Sequence, residues 1–218
     1  MLKHQFAIVP LLIFIFLTSS CLVAGGLTKP GRCPKIAYKK KLDLKRFTGT
    51  WYMQSSFDKI SFDRCQKSDY SLGDNDEPQV KNFQISRLIG SAECKTGKLI
   101  FHSDGQFQVK YGEITLPFLY KILSVDYKKY IIFYFCENIK SDKHTEYVWI
   151  HTRDLEPSDK VKKGYLKALK AKKISGEELV PALHKDCGGY GESVTDQLKK
   201  VQQELRKKYA KKGQGLDF

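Results

Sequence analysis

Phe47-Thr48-Gly49-Thr50-Trp51-Tyr52 opens the part of the chain in which the fold is decided. From Trp51 onward, short segments rich in aromatic and β-branched residues recur, and turn residues break them. They predict strands over Gly49–Phe57, Ser68–Leu72, Val80–Ser86, Lys98–Ser103, Gln106–Tyr111, Leu119–Val125, Tyr130–Glu137 and Thr145–Thr152. Gly73-Asp74-Asn75-Asp76, Thr96-Gly97, Ser103-Asp104-Gly105, Asp126–Lys129 and Ser141-Asp142-Lys143 supply turns between them. Eight strands on short hairpin loops suit an antiparallel up-and-down barrel, which leaves no open sheet edge. A β-sandwich with Greek-key crossovers is the rival that pattern alone leaves open.

On either side of the strands the pattern changes. Leu44-Lys45-Arg46-Phe47 reads as one helical turn ahead of the first strand. After the last, Glu156-Pro157-Ser158 opens a helix whose Val161, Tyr165, Ala168 and Leu169 share a face. Ser175-x-x-Glu178 resembles a capping box for a short second helix. Past Gly188-Gly189-Tyr190-Gly191, residues Val194, Leu198, Val201 and Leu205 form one apolar stripe among lysines and glutamines. A helix that short is marginal in water, so residues 192–218 are expected to be a basic amphipathic tail that orders on contact.

The N-terminus has a processing pattern. Lys3 and His4 precede an apolar run from Phe6 to Leu17, and small residues follow to Gly25. This is the layout of a secretory signal peptide, assigned to residues 1–24, with cleavage after Ala24 or Gly25 and Ser20 as the alternative. The run is shorter than the roughly 20 residues of a spanning helix. No later segment is apolar enough to cross a bilayer, so residues 25–191 are expected to form one secreted domain.

The chain carries 38 basic against 24 acidic residues, a net charge of +14. Such a balance often accompanies nucleic-acid binding. Here the lysines are dispersed in short runs (Lys39–Lys41, Lys128-Lys129, Lys162-Lys163, Lys172-Lys173, Lys207-Lys208, Lys211-Lys212), and no recognition helix frames them. A solvated basic surface, with peripheral contact to anionic surfaces as the minor option, is the preferred reading, and nucleic acid is not expected. Cys33, Cys65, Cys94, Cys136 and Cys187 remain after processing. Most should pair in an oxidising compartment. The odd count leaves one thiol free or bridged to a second chain, and the numbers alone do not choose the pairs.

Three motifs, in order, resemble those of the lipocalin family. Gly49-Thr50-Trp51-Tyr52 resembles its G-x-W-Y signature, and Val125-Asp126-Tyr127 its T-D-Y turn, with valine replacing threonine. Trp149-Ile150-His151-Thr152-Arg153 resembles its W-I-L-S-R strand end, with its arginine retained. Cys33-Pro34 before the barrel is similar to the insect bilin-binding and apolipoprotein D-like branch. The resemblance covers roughly Cys33 to Cys187. It implies an all-β fold: an eight-stranded up-and-down barrel with a C-terminal α-helix packed on its outside. It implies bridges Cys33–Cys136 and Cys65–Cys187, leaving Cys94 unpaired and available for a dimer. It gives Gly49, Trp51, Asp126, Tyr127 and Arg153 structural roles, with the Arg153 guanidinium stacked on the Trp51 indole at the closed end.

The implied function is a carrier of a small hydrophobic ligand, such as a fatty acid, retinoid or sterol. Eight-stranded barrels hold one small ligand, between apolar walls and a few placed polar groups. Candidate wall residues are Tyr52, Phe83, Phe101, Phe107, Phe118, Tyr120, Ile122, Phe133, Phe135, Tyr147 and Trp149, about half of which strand alternation should turn inward. Trp149 leads them, because the matching tryptophan of that branch lines the pocket. No catalytic or metal-binding spacing is present, so neither an enzyme nor a bound cofactor is expected. His102, on the expected fourth strand, is the position to compare with lipocalins that ligate haem through a strand histidine; a surface role is preferred. A bilin-binding chromoprotein and an interaction or inhibitor protein with an incidental pocket are the alternative functions.

Overall fold

The computed structural model describes residues 25–58, 63–86, 90–139 and 142–188. The expected leader at 1–24 and the tail at 192–218 lie outside the described residues. In chain order, strand β1 (Leu27–Pro30) is followed by the helical turn α1 (Leu44–Phe47), β2 (Gly49–Ser56), β3 (Asp63–Leu72) and β4 (Pro78–Ser86). Next come β5 (Ala92–Phe101), β6 (Phe107–Tyr111), β7 (Ile114–Thr115) and β8 (Lys121–Asp126). β9 (Tyr130–Ile139), β10 (Lys143–Thr152), helix α2 (Asp159–Ala171) and β11 (Val180–Pro181) complete the order. The eight expected strands are β2 to β6 and β8 to β10, while β1, β7 and β11 are short additions.

The sheet is antiparallel in the order β7-β6-β5-β4-β3-β2-β10-β9-β8, with β1 beside β10 and β11 beside β2. The ladder is not closed by a strand pair. β6 meets the residue before β8 in one bridge, where Phe107 and Tyr120 exchange backbone hydrogen bonds of 3.0 and 2.8 Å. By contrast, β9 and β10 pair without a break from Lys143–Ile139 to Thr152–Tyr130.

Two apolar clusters flank this sheet. The inner one gathers Phe47, Trp51, Tyr70, Val80, Leu99, Phe107, Ile122, Ile131 and Phe133. The outer one places Val161, Tyr165 and Leu169 of α2 on Ile132, Tyr134, Val148 and Ile150. Those three helix positions are four apart, so they form one stripe on a 3.6-residue helix. Covered on both sides, β9 runs Tyr-Ile-Ile-Phe-Tyr-Phe with no alternation of polarity. Cys33–Cys136 ties the N-terminal segment to β9, and Cys65–Cys187 ties β3 to the C-terminal segment. Cys94 on β5 is unpaired and exposed, so the cysteines stand as the resemblance implied.

Two local expectations are corrected. Thr96-Gly97 is not a turn but the middle of β5, with Gly97 opposite Val80. A Cβ on Gly97 would lie 2.9 Å from the Lys110 carbonyl oxygen, so glycine serves close strand approach there. The β4–β5 reversal lies earlier, where Gly90 N–H donates to Ser86 O at 2.8 Å. Ser175-x-x-Glu178 opens no helix; the Ser175 hydroxyl accepts from Glu177 N–H at 3.2 Å in a turn leading to β11. Its local hydrogen bonding competes with helix rather than capping one.

Candidate functional site

The site is built upward from its floor. Asp43 caps α1 by accepting from Arg46 N–H at 3.1 Å, which sets Phe47 under the barrel. Trp51 follows on β2, fully buried, with its indole N–H donating to Phe47 O at 2.8 Å. The Arg153 guanidinium lies 3.8 Å from the Trp51 ring centre. It donates to the carbonyl oxygens of Tyr127 at 3.0 Å, Thr50 at 3.1 Å and Arg46 at 2.9 Å. Gly49 has φ +96°, and a Cβ there would sit 3.0 Å from Arg153 Nη1, so both conformation and space call for glycine. Asp126 holds the β8–β9 turn by accepting from Lys129 Nζ at 2.9 Å and Lys128 N–H at 3.1 Å. Burial pushes its carboxyl up, but Lys129 and the Lys128 amide outweigh this and leave it below the ordinary value. Arg153→Met should cost about 2 kcal/mol in a denaturant titration, from the lost cation–π contact and three carbonyls without their donor. An unchanged midpoint would contradict this role.

Above the floor lies a cavity of about 470 Å³, within the usual range for small-molecule sites. One wall is apolar and aromatic: Phe107, Val109, Leu116, Tyr120, Phe133 and Trp149. The lining also carries polar groups from β3, β4 and β6: Gln66, Ser68, Asn82, Gln84 and Tyr111. Ser68 hydroxyl donates to Asn82 Oδ1 at 2.6 Å, and Asn82 Nδ2 donates to the Tyr111 hydroxyl at 2.6 Å. Lys95 pairs with Glu93 at 3.6 Å, and Glu93 also accepts from Gln84 at 3.3 Å. Burial drives the Tyr70 hydroxyl above its ordinary value, so it stays neutral. His151 also borders the cavity and is 6% exposed. Its Nδ1 has no hydrogen-bond partner.

Of the candidate wall residues, Phe83, Phe107, Tyr120, Phe133 and Trp149 border this cavity; Tyr52, Phe101, Phe118, Ile122, Phe135 and Tyr147 do not. Tyr52 lies between Trp51 and Met53, both turned inward, and so points to the opposite face of β2. Phe101 packs 5.4 Å from the Phe107 ring instead. Ile122 is buried in the inner core. Tyr147, Phe135 and Phe118 form an aromatic row beside Trp149: Tyr147 stacks on Trp149 at 5.9 Å and on Phe135 at 5.4 Å, and Phe118 packs on Phe135 at 5.1 Å. Tyr147 also donates its hydroxyl to Glu137 at 2.8 Å. Phe83 touches the cavity but belongs to a separate cluster with Cys65 and Ile85, against Cys187. His102 is exposed, with its Nε2 2.9 Å from Gln108 Oε1, which supports the surface reading.

Sequence reasoning missed the polar wall and His151. The signal for the wall was period-two spacing of Ser68 with Gln66, and of Asn82 with Gln84, although β4 is apolar at both parities, with Val80 in the inner cluster and Phe83 and Ile85 in a separate one. For His151 it was a histidine two residues from Trp149, and so on the same face of the strand. Among the described residues no group of three or more His, Cys, Asp or Glu side chains is arranged to hold a metal ion. No described helix is long and apolar enough to cross a membrane.

Comparison with known proteins agrees with this architecture. The model of the Lipocalin / cytosolic fatty-acid binding protein family matches residues 48–186. Apolipoprotein D of Rattus norvegicus is 27% identical over 128 residues, 57% of this chain and 67% of that protein. The bilin-binding protein of Pieris brassicae is 25% identical over 135 residues, 56% of this chain and 68% of its own. Among solved structures, insecticyanin from the tobacco hornworm Manduca sexta superposes with a TM-score of 0.65 at 22% identity, covering 74% of this chain and 91% of that one. Apocrustacyanin C2 gives 0.64 at 19% identity, covering 75% and 94%. Both structural likenesses concern the fold.

Proposed function

Because the chain belongs to the lipocalin / cytosolic fatty-acid binding protein family, we propose that it is a secreted carrier holding one small hydrophobic ligand, such as a fatty acid, retinoid or sterol, within its barrel. The observation that carries this reading is the cavity of about 470 Å³ between Phe107, Tyr120, Phe133 and Trp149, above a floor filled by Trp51 and Arg153. Secretion rests on the leader pattern, and the two disulfides accord with it. No covalent chemistry is assigned: the family binds and carries.

A long-chain fatty acid or retinoid is expected to bind one-to-one and quench tryptophan emission. Each buried methylene contributes roughly 0.8 kcal/mol, so about a dozen give near 10 kcal/mol gross. Lost translational and rotational freedom takes back at least about 4 kcal/mol, which leaves at most about 6 kcal/mol, an affinity in the tens of micromolar before any hydrogen bond to the polar end. The chain has two tryptophans, so the signal is assignable. Trp149→Phe should abolish most of the quenching with a modest loss of affinity, whereas Trp51→Phe should mainly lower stability. A folded protein that binds no lipid, retinoid or bilin would end the carrier reading.

One observation favours a second reading. The wall of Gln66, Ser68, Asn82, Gln84 and Tyr111 is more polar than a plain hydrocarbon chain needs, and it suits a pigment with several hydrogen-bonding groups. A relative 25% identical is a bilin-binding protein. Visible absorption of protein from its native source separates the two, since a bound bilin is blue.

A further inference from the structure

On β10, His151 stands between Trp149, which borders the cavity, and Arg153, which closes the floor. Across the ladder it faces Met53 on β2 and Ile131 on β9, and the Phe133 ring meets it edge-on at 5.3 Å. A polar ring in this apolar setting, with Nδ1 buried and unpartnered, is stable only where something else repays its lost hydration.

Resting on the carrier reading, we infer that His151 selects the ligand's polar end: the cavity takes an uncharged, elongated apolar molecule ending in a hydroxyl group, which hydrogen-bonds the imidazole. Neutral imidazole offers one donor and one acceptor, and a hydroxyl complements either. Burial, reinforced by His184 in the segment alongside β2, holds the ring neutral, with its pKa lowered to about 3. A carboxylate at this depth would therefore find no cation on His151. The two lysines bordering the cavity, Lys67 and Lys95, already stand 3.0 Å from Asp69 and 3.6 Å from Glu93. An anionic head would lose its hydration without a free opposite charge.

The test compares retinol, its deoxy hydrocarbon and retinoate at pH 7.4, by tryptophan quenching of the full secreted chain and of His151→Leu. Leucine removes both ring nitrogens while keeping an apolar side chain of suitable size. The wild type should bind retinol about tenfold tighter than the hydrocarbon and also tighter than retinoate. In His151→Leu the first ratio should fall to about one with hydrocarbon affinity kept, and His151→Gln should restore part of it. The ¹⁵N resonances of the His151 ring should shift on adding retinol but not the hydrocarbon. An unchanged ratio in His151→Leu, or tighter binding of retinoate than retinol by the wild type, overturns the inference while the carrier reading stands. If neither protein binds any of the three, this inference is overturned, and the carrier reading falls only if fatty acids, sterols and bilins fail to bind as well.

Discussion

Replacing Cys33 and Cys136 together with serine is expected to lower the unfolding free energy by about 4–5 kcal/mol. The bridge closes a sequence separation of 103, and the chain-entropy relation gives about 4.7 kcal/mol for a loop of about 100 residues. The bridged segment does not cross the barrel unaided. Lys39 N–H donates to Ile122 O at 2.8 Å, Asp43 N–H to the Tyr127 hydroxyl at 2.8 Å, and Lys172 Nζ to Ala37 O at 2.6 Å. These contacts are exposed or few, each worth about 1 kcal/mol net, and they form only once the segment is already in place. Guanidinium titrations of the double variant and the wild type, both with Cys65–Cys187 intact, measure the difference. A loss under about 1 kcal/mol would show that the backbone contacts, not the bridge, hold the segment.

Acidification should destabilise the protein through His151 alone by about 3–4 kcal/mol at pH 4. The ring's folded-state pKa is about 3, below the roughly 6.5 of an exposed histidine. The unfolded chain therefore takes up a proton that the folded chain refuses. The contribution is complete above pH 6.5 and is lost as pH falls toward 3, at about 1.4 kcal/mol per unit. Carboxylates titrate over the same window, so the measured quantity is the difference between the wild type and His151→Leu. Urea titrations from pH 7.5 to pH 4 should show the wild type losing about 3–4 kcal/mol more than the variant. Parallel curves would mean that His151 gains its proton without opening the fold.

The framework was legible where a residue type has one structural use. Gly49, Trp51, Tyr127 and Arg153 meet at the floor, as the motifs implied, because glycine alone tolerates that φ and arginine alone reaches three carbonyls while covering an indole. The α2 face was legible because its lower side packs and its upper side is wet. The cavity wall was harder. Alternation tells which residues share a face, not which face is inside, and β4, β9 and β10 are apolar at both parities because the disulfide-linked C-terminal segment or α2 covers their outer sides. Tyr52 was thus as plausible as Phe133, whereas Phe101 does turn inward but packs on Phe107 and not on the cavity. Gly97 misled for a different reason: glycine marks close backbone approach as well as reversal, and Thr96 beside it does not distinguish them.

The single bridge between Phe107 and Tyr120 makes the barrel a split ring rather than a hoop. Two strand pairings round from the split, the unbroken β9–β10 ladder under α2 resists any change of girth. At the split, widening breaks two backbone hydrogen bonds, roughly 2 kcal/mol in all. Residues on the two sides of this split, Phe107, Val109 and Leu116 on one and Tyr120 on the other, are themselves cavity wall. The compliance of the molecule is therefore placed where a guest presses. Occupants of unequal width can be accommodated by one hinge-like seam, while the floor beneath keeps its shape.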